Sequence, residues 1–142
     1  MRPVKEFEYY LKQKIVKKQG PDKSRSKSLE LDAEKSKEFL YEIIKKIGIT
    51  KNNSNNIIVL AYDIIMKLVR AKMFLNGFNA SGQGAHEAEV SYLRKMNVSE
   101  KNIQFCDQLR YFRNGILYYG KKYEPLYAQK VVDFIQEIEK NT

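Results

Sequence analysis

The chain has very few residues of the types that build metal sites and disulfide bonds. Among its 142 residues there are one cysteine, Cys106, one histidine, His86, and no tryptophan. A single cysteine cannot form an intrachain disulfide, so nothing indicates an oxidising compartment. A structural zinc site normally takes four Cys or His ligands. We therefore expect no bound metal and no cofactor.

Long apolar runs are also missing. The most apolar stretch, residues 57–75, is interrupted by charged side chains that would be costly in lipid, those of Asp63, Lys67, Arg70 and Lys72. The opening sequence MRPVKEFEYY lacks the continuous apolar region of a signal peptide. We expect a cytoplasmic protein that does not associate with membranes.

Acidic residues are in deficit, and the imbalance is greatest near the N-terminus. Lysine and arginine number 26 against 17 Asp and Glu, which gives a formal charge of +9. Residues 1–30 hold nine of the cations and four of the acids, and so contribute +5. Such a segment favours an anionic partner, RNA ahead of DNA or an acidic protein. The alternative is that the charge serves only solubility.

Apolar residues recur with helical spacing almost throughout the chain. With 43% hydrophobic residues, a chain of this length can fill one core, so a single domain is predicted over residues 1–142. No stretch alternates apolar and polar residues convincingly, so no strand is predicted. The fold class predicted is all-α, an antiparallel up-and-down bundle of four to six helices.

Local signals predict where the helices begin and end. Residues 1–20 are predicted to form a basic helical arm on or beside the domain, with Val4, Phe7, Leu11 and Ile15 on one face and a stop at Gly20-Pro21. A second helix is predicted over residues 29–47, capped by Ser24, Ser26 or Ser28, with Phe39 and Ile47 among its inward residues. The third, residues 55–76, is apolar nearly all round and should be central. Gly77 is predicted to cap this helix and residues 78–84 to form a loop. A helix is then predicted over residues 85–96. The next helix is predicted to start at Glu100, with Ser99 as its cap, and to end at Gly120, and a last helix is predicted to begin at Pro125.

Three features that suggest chemistry have simpler explanations. The loop GFNASGQG is rich in glycine, but a phosphate-binding loop follows a strand and ends in Gly-Lys-Ser/Thr. No strand is predicted before this loop, and Gly82 is followed by Gln83-Gly84. His86 stands beside Glu87 and Glu89, but neighbours in sequence do not share a helix face, so a surface histidine is favoured over a general base. Cys106 falls at a core spacing and is interpreted as a small buried residue.

The segment LRYFRNGILYYGKKY, residues 109–123, interleaves basic and aromatic side chains. Guanidinium groups bind phosphate oxygens and aromatic faces stack on bases, so this mixture suits single-stranded RNA. Its candidate phosphate- and RNA-binding residues are Arg110, Arg113, Tyr119, Lys121 and Lys122. The alternative is a helix with an aromatic core stripe and solvated arginines.

The order Arg113-Asn114-x-x-x-Tyr118, followed by Tyr119-Gly120, resembles the motif of the HEPN superfamily, an Arg, a polar residue, three variable residues and a His. The segments YYLKQKIVKK, PDKSRSKSLELDAEK and AYDIIMKLVRAKMFLNGFNASG also resemble archaeal members. The resemblance implies a helical bundle, often dimeric, that acts as an RNase in toxin–antitoxin or defence systems or as a partner of a small nucleotidyltransferase. It places Arg113, Asn114 and Tyr118 at the catalytic positions.

One departure changes what the resemblance implies. Tyr118 stands where the superfamily has its histidine. Phenols ionise at about pH 10 and imidazoles at about pH 6.5, so a tyrosine is a poor general base near neutral pH. We therefore expect a protein that binds RNA or nucleotide with weak or no RNase activity. Arg113 would hold phosphate, Asn114 would orient it, and Tyr118 would hydrogen-bond or stack. The alternatives are a non-enzymatic adaptor of a nucleotidyltransferase and an active metal-independent RNase.

Helix geometry separates the two ends of the motif. At about 100° per residue, Arg113 and Tyr118 lie roughly 140° apart, whereas Asn114 and Tyr118 share a face. Arg113 and Tyr118 could converge only across a groove such as a twofold interface. Together with this geometry, the resemblance to a superfamily whose members are often dimers implies a homodimer with this helix near its axis.

Overall fold

A computed structural model describes residues 3–140 of the chain. In that part the elements are α1 (Phe7–Lys12), β1 (Val16–Lys18), α2 (Lys23–Lys46), α3 (Ser54–Leu75), β2 (Phe78–Ala80), α4 (Ala85–Ser91), a 3₁₀ helix (Tyr92–Met96), α5 (Glu100–Tyr119) and α6 (Pro125–Lys140). Six α-helices account for most of the described chain, so the prediction of an all-α bundle is confirmed.

Helix α3 is the centre of the bundle, as its apolar circumference predicts. It packs against α2, α6, α5 and α4. The buried side chains that it contributes to the core include those of Ile57, Ile58, Ile64, Ile65, Met66, Val69 and Met73. A helix enclosed by four neighbours must be apolar on several faces, which explains why this segment has only a narrow polar stripe.

Contacts between the helices establish an up-and-down arrangement. The Asp32–Lys67 ion pair joins the first half of α2 to the second half of α3, so these helices are antiparallel. Ring contacts of Phe105 with Phe134 and of Phe112 with Tyr127 show that α5 and α6 are antiparallel as well. Short connections between consecutive helices favour this topology.

The N-terminal arm differs from the predicted helix. Residues 1–2 of the predicted arm lie outside the described residues, and α1 ends at Lys12. Lys14 adopts a positive φ of 61°, which turns the chain and allows β1 to pair antiparallel with β2. The predictions of a helix through Ile15 and of a plain loop over residues 78–84 are therefore wrong. The cause is tertiary, because each three-residue strand depends on the other for its hydrogen bonds.

Helix α2 begins earlier than the serine caps suggest, and its inward face is narrower. Asp22 is the cap, and its carboxylate accepts a hydrogen bond from the Arg25 amide at 2.9 Å. Phe39 is 57% exposed, because it is turned by about 100° from buried Leu40. Ile47 is 67% exposed at the end of the helix. Both residues were predicted to face inward, and both predictions are wrong.

The other predicted boundaries agree closely with the structure. The Ser99 side chain accepts a hydrogen bond from the Asn102 amide, and α5 ends at Gly120 with a left-handed φ of 64°. Pro125 is the first residue of α6. Gly77 follows α3 with φ 82°. Within residues 3–140, no helix is both long enough and apolar enough to cross a membrane.

Candidate nucleic-acid interface

The second half of α5 carries a cluster of exposed apolar and aromatic side chains. Tyr118 is 72% exposed and Tyr119 is 79% exposed, and Tyr111 and Leu117 are each nearly half exposed. The first half of α5 instead buries Ile103, Cys106 and Leu109 in the core. The helix therefore leaves the core as it approaches Gly120, and large rings there face solvent.

A pocket of about 450 Å³ lies between this part of α5 and the connection to α6. The rings of Phe112 and Tyr123 stack within it, with centroids 4.9 Å apart and planes inclined by 28°. Its lining is dominated by tyrosine rings and includes Tyr111, Phe112, Asn114, Gly115, Tyr118, Tyr119, Lys121 and Tyr123. The site thus combines several π faces with one amide and one ammonium group.

The connection from α5 to α6 is fixed to the start of α3. Asn55 donates its Nδ2–H to the Lys121 carbonyl at 2.7 Å and accepts from the Tyr123 amide at 3.0 Å. The Ser54 hydroxyl donates to the Tyr123 carbonyl at 2.6 Å. These bonds hold the backbone of Lys121 and Tyr123 in place, so one wall of the pocket is pre-organised.

Gly115 has no side chain, and the Tyr123 and Lys121 side chains lie close to it. A Cβ atom at this position would lie 3.2 Å from the Tyr123 hydroxyl and 3.3 Å from Lys121 Cδ. The Gly115 carbonyl also accepts the Lys121 amide at 3.2 Å. Helix α5 continues through Gly115 without a break. A larger residue at this position would therefore press on the Tyr123 and Lys121 side chains.

Arg113 points away from the pocket, towards α3. Its Nη2 lies 3.8 Å from Asp63 Oδ1, and its guanidinium centre lies 5.9 Å from the Tyr62 ring centroid. The Arg113 Nε and the Tyr62 hydroxyl are buried and have no hydrogen-bond partner among the described residues. Burial also raises the pKa of Tyr62, so its phenol remains protonated.

Arg110 is held by a buried carboxylate. Its Nε and Nη2 each lie 3.2 Å from Asp107 Oδ1, and the Asp107 side chain is only 3% exposed. The Arg110 guanidinium also lies over the Tyr111 ring at 4.4 Å. Since a buried carboxylate needs a partner, this arginine has a structural role whether or not it also contacts a ligand.

The structure therefore divides the residues that the sequence proposed. Asn114, Tyr118, Tyr119 and Lys121 line one pocket, and Lys122 is exposed beside it. Arg110 and Arg113 are not in that lining and contact carboxylates instead. The angular separation calculated from the sequence accounts for this division, because Arg113 and Tyr118 leave the helix in different directions.

Several site residues were not identified from the sequence. Asn55 was predicted only as the start of the third helix and no tertiary role was predicted for Ser54, although both hold the connection to α6. Asp63 and Asp107 were not recognised as partners of arginine. Asp107 precedes Arg110 by three residues, a spacing that could have revealed the pair. The contacts of Asn55 span more than sixty residues of sequence, and no local signal marks them.

No family model, curated protein or solved structure matches this chain. Membership of the HEPN superfamily therefore stays a prediction from the motif and the quoted segments.

Two other reactive groups, the thiol of Cys106 and the imidazole of His86, lie outside this pocket. The prediction that Cys106 is buried is confirmed, and desolvation by burial raises the pKa of its thiol to about 12. His86 Nδ1 lies 3.2 Å from Glu89 Oε1. The expectation that His86 shares no helix face with its acidic neighbours is therefore wrong for Glu89, which follows it by three residues. Within residues 3–140 there is no group of three or more His, Cys, Asp or Glu side chains that could hold a metal ion.

Proposed function

We propose that this chain binds single-stranded RNA in the cytoplasm through the pocket at the end of α5, and that it cleaves RNA weakly or not at all. The observation that carries the proposal is the pocket of about 450 Å³ that groups Tyr118, Tyr119 and Asn114 around Lys121. Aromatic platforms beside cationic groups bind single strands because every base has a π face and every nucleotide has a phosphate.

Each side chain has a distinct role in this proposal. The exposed rings of Tyr118 and Tyr119 stack on bases, and the Asn114 amide hydrogen-bonds a base edge or a phosphate oxygen. Lys121 and Lys122 neutralise phosphates. Arg113 holds a phosphate where the RNA strand passes from the pocket towards α3. The Asp63 carboxylate, whose Oδ1 lies 3.8 Å from Arg113 Nη2, competes only weakly with that phosphate for the guanidinium group.

Weak or absent catalysis follows from the available proton acceptors. Cleavage of RNA without a metal needs a base for the 2′-hydroxyl group. Tyr118 occupies the position at which the resemblance places a histidine. The single histidine of the chain, His86, instead contacts Glu89 and Arg70. This arrangement supports binding better than it supports chemistry.

Assembly with a second copy is the other part of the proposal. Arg113 and Tyr118 lie on different sides of α5, so a twofold axis beside this helix would bring the Arg113 of one protomer near the Tyr118 of the other. Exposed Leu117 would lie close to the axis. Light scattering should give twice the 16.7 kDa mass of the chain, and Leu117→Lys should shift it to the monomer. A monomer at all workable concentrations would contradict this.

The binding proposal is tested by the fluorescence anisotropy of a labelled oligouridine of about 12 nucleotides, a length within the range of single-strand-binding folds. Tyr118→Ala and Tyr119→Ala should each weaken binding by about 5- to 150-fold, which corresponds to roughly 1–3 kcal/mol per stacked base. The matched control is Phe39→Ala, which removes a similarly exposed ring from α2. Equal affinities in all three variants would refute the proposed site.

A further inference from the structure

A second pocket lies at the opposite end of α3, beside β2. It has a volume of about 250 Å³ and is bounded by α2, the end of α3, β2 and α4. Its apolar floor is formed by Leu29, Met73, Phe74 and Phe78, and its polar rim by Arg25, Arg70, Asn79 and Glu89. Between Asn55, beside the first pocket, and Phe74, α3 rises by about 28 Å, so the two sites are separate.

The cations of this rim are only partly neutralised. Arg70 Nε donates to Glu89 Oε2 at 2.7 Å, and Arg70 Nη2 donates to Glu89 Oε1 at 3.2 Å. Arg25 forms no ion pair with a described carboxylate, and its guanidinium lies over the Phe74 ring at 4.7 Å. Two arginines against one glutamate leave the rim with a net positive charge.

The strand pairing adds a third cation. Lys17 is the register partner of Asn79 in the β1–β2 ladder. Side chains of directly opposite residues point to the same face, with Cβ atoms about 4.5–5.5 Å apart. Lys17 is exposed, and its side chain leaves the strand next to that of Asn79, which lines the pocket.

This rim continues into a surface whose cations have no acidic partners. We define the arm surface as the exposed side chains of Lys12, Lys14, Lys17, Lys18 and Arg25. None of them forms an ion pair within residues 3–140, whereas many cations of the bundle do, including Lys37, Lys67, Arg94 and Lys95. Asp22 is the single acid between Lys12 and Lys27, and it is used as the cap of α2. Such a concentration of free cations binds polyanions by releasing their counterions.

We propose that this pocket holds one nucleotide of a single-stranded nucleic acid whose backbone follows the arm surface. The phosphate lies against Arg25 and Arg70, and the base lies over the apolar floor. The pocket volume is just below the usual range of about 300–1,000 Å³ for small-molecule sites, so it takes one nucleotide-sized group rather than a folded partner. An acidic peptide would satisfy the cations but would bring no planar group for the floor or for the plane of Arg25.

The first experiment uses mononucleotide probes on the full chain. Adenosine 5′-monophosphate and uridine 5′-monophosphate should shift the backbone amide signals of Phe78 and Asn79 in two-dimensional NMR titrations. Inorganic phosphate should shift the Arg25 side-chain signal with lower affinity, because it lacks the base. Shifts confined to the α5 pocket would refute the second site.

The second experiment measures the binding of labelled oligouridine and of oligodeoxythymidine of the same length, which distinguishes RNA from DNA. Arg25→Ala should raise Kd by about 5- to 30-fold, and Arg25→Lys should give an intermediate value because the charge is kept and the plane is lost. Lys45→Ala is the matched control, since Lys45 is an exposed α2 lysine that forms no ion pair with a described residue. Equal Kd values for Arg25→Ala and Lys45→Ala would overturn the proposal.

The third experiment tests the arm surface by salt dependence. Replacing Lys17 and Lys18 together with alanine should reduce the slope of log K against log salt by about 1.4, since each neutralised phosphate of a single strand contributes roughly 0.7. An unchanged slope would contradict the proposal. Oligoglutamate that competes as well as oligouridine would also overturn it, in favour of an acidic protein.

This second site does not depend on the first, and the two fail separately. In a Tyr118→Ala background, the effect of Arg25→Ala should persist if only the α5 pocket is misassigned. Loss of the Arg25 effect with retention of the Tyr118 effect would refute the second site alone.

Discussion

Substitution of Gly77 by alanine should destabilise the protein far more than substitution of Gly48. Both glycines adopt a left-handed φ, 82° at Gly77 and 86° at Gly48, so an alanine is strained at either position. They differ in their surroundings. A Cβ atom at Gly77 would lie 2.4 Å from the Gln19 carbonyl oxygen, whereas nothing lies within 4 Å of a Cβ at Gly48. Gly48→Ala is therefore a matched control for the backbone cost.

The magnitudes follow from these contacts. A left-handed alanine costs about 1–2 kcal/mol, which applies to both variants. At Gly77 the clashing atom belongs to the backbone, so the arm itself must shift, which adds about 1–3 kcal/mol for overpacking. The 2.7 Å hydrogen bond from the Gln19 amide to the Gly77 carbonyl is then lost, for about 1 kcal/mol more. We expect a loss of about 1–2 kcal/mol for Gly48→Ala and about 3–6 kcal/mol for Gly77→Ala.

Urea unfolding followed by far-UV circular dichroism measures both free energies of unfolding. The entropy that alanine removes from the unfolded chain is the same in the two variants and cancels in the comparison. Hydrogen exchange should also rise at the amides of β1 and β2 in Gly77→Ala, because the displaced arm loosens their ladder. Losses that agree within 0.5 kcal/mol, a margin of roughly the size seen for neutral surface substitutions, would refute the close approach of Gln19 to Gly77.

Three further predictions concern α5. Arg110→Ala should lower the free energy of unfolding in urea by about 3–5 kcal/mol, because it leaves the buried Asp107 carboxylate unpaired. Adding Asp107→Asn should recover part of this loss. An unchanged stability of Arg110→Ala would contradict the structural role of the pair. The Cys106 thiol should resist iodoacetamide at neutral pH, because it is buried. Burial raises the pKa of this thiol from 9.0 to about 12. The contribution of the neutral thiol to stability is therefore complete below about pH 9 and is lost as the pH rises towards 12. Cys106→Ala should therefore lose less stability than the parent chain over that interval, and parallel pH profiles would refute the assignment. Tyr118→His should gain some metal-independent cleavage of labelled RNA near neutral pH, which Arg113→Ala should abolish, whereas strong cleavage by the unaltered chain would reverse our preference for a binding protein.

Side-chain exposure is the property on which the sequence was least informative. Phe39 and Ile47 fit the helical pattern of α2, yet both are exposed, because the width of the contact between α2 and its neighbours decides which flanking positions are covered. Periodicity gives the direction of a side chain around its own helix and not the position of the surface that meets it. The same limit applies to Arg110, whose partner Asp107 is a single helical turn away but becomes important only because that turn is buried.

The amino-acid sequence by itself determined the helices and most of their ends. Ser99, Gly120 and Pro125 act through bonds and backbone angles within a few residues, so their effects are fixed before the chain folds. The tertiary structure alone decided the β1–β2 pair and the two pockets. Val16–Lys18 becomes a strand only because the end of α3 delivers Phe78–Ala80 beside it. Asn55 likewise shapes the α5 pocket from far along the chain. Local chemistry sets the conformation of a segment, but only packing sets which distant segments share a surface.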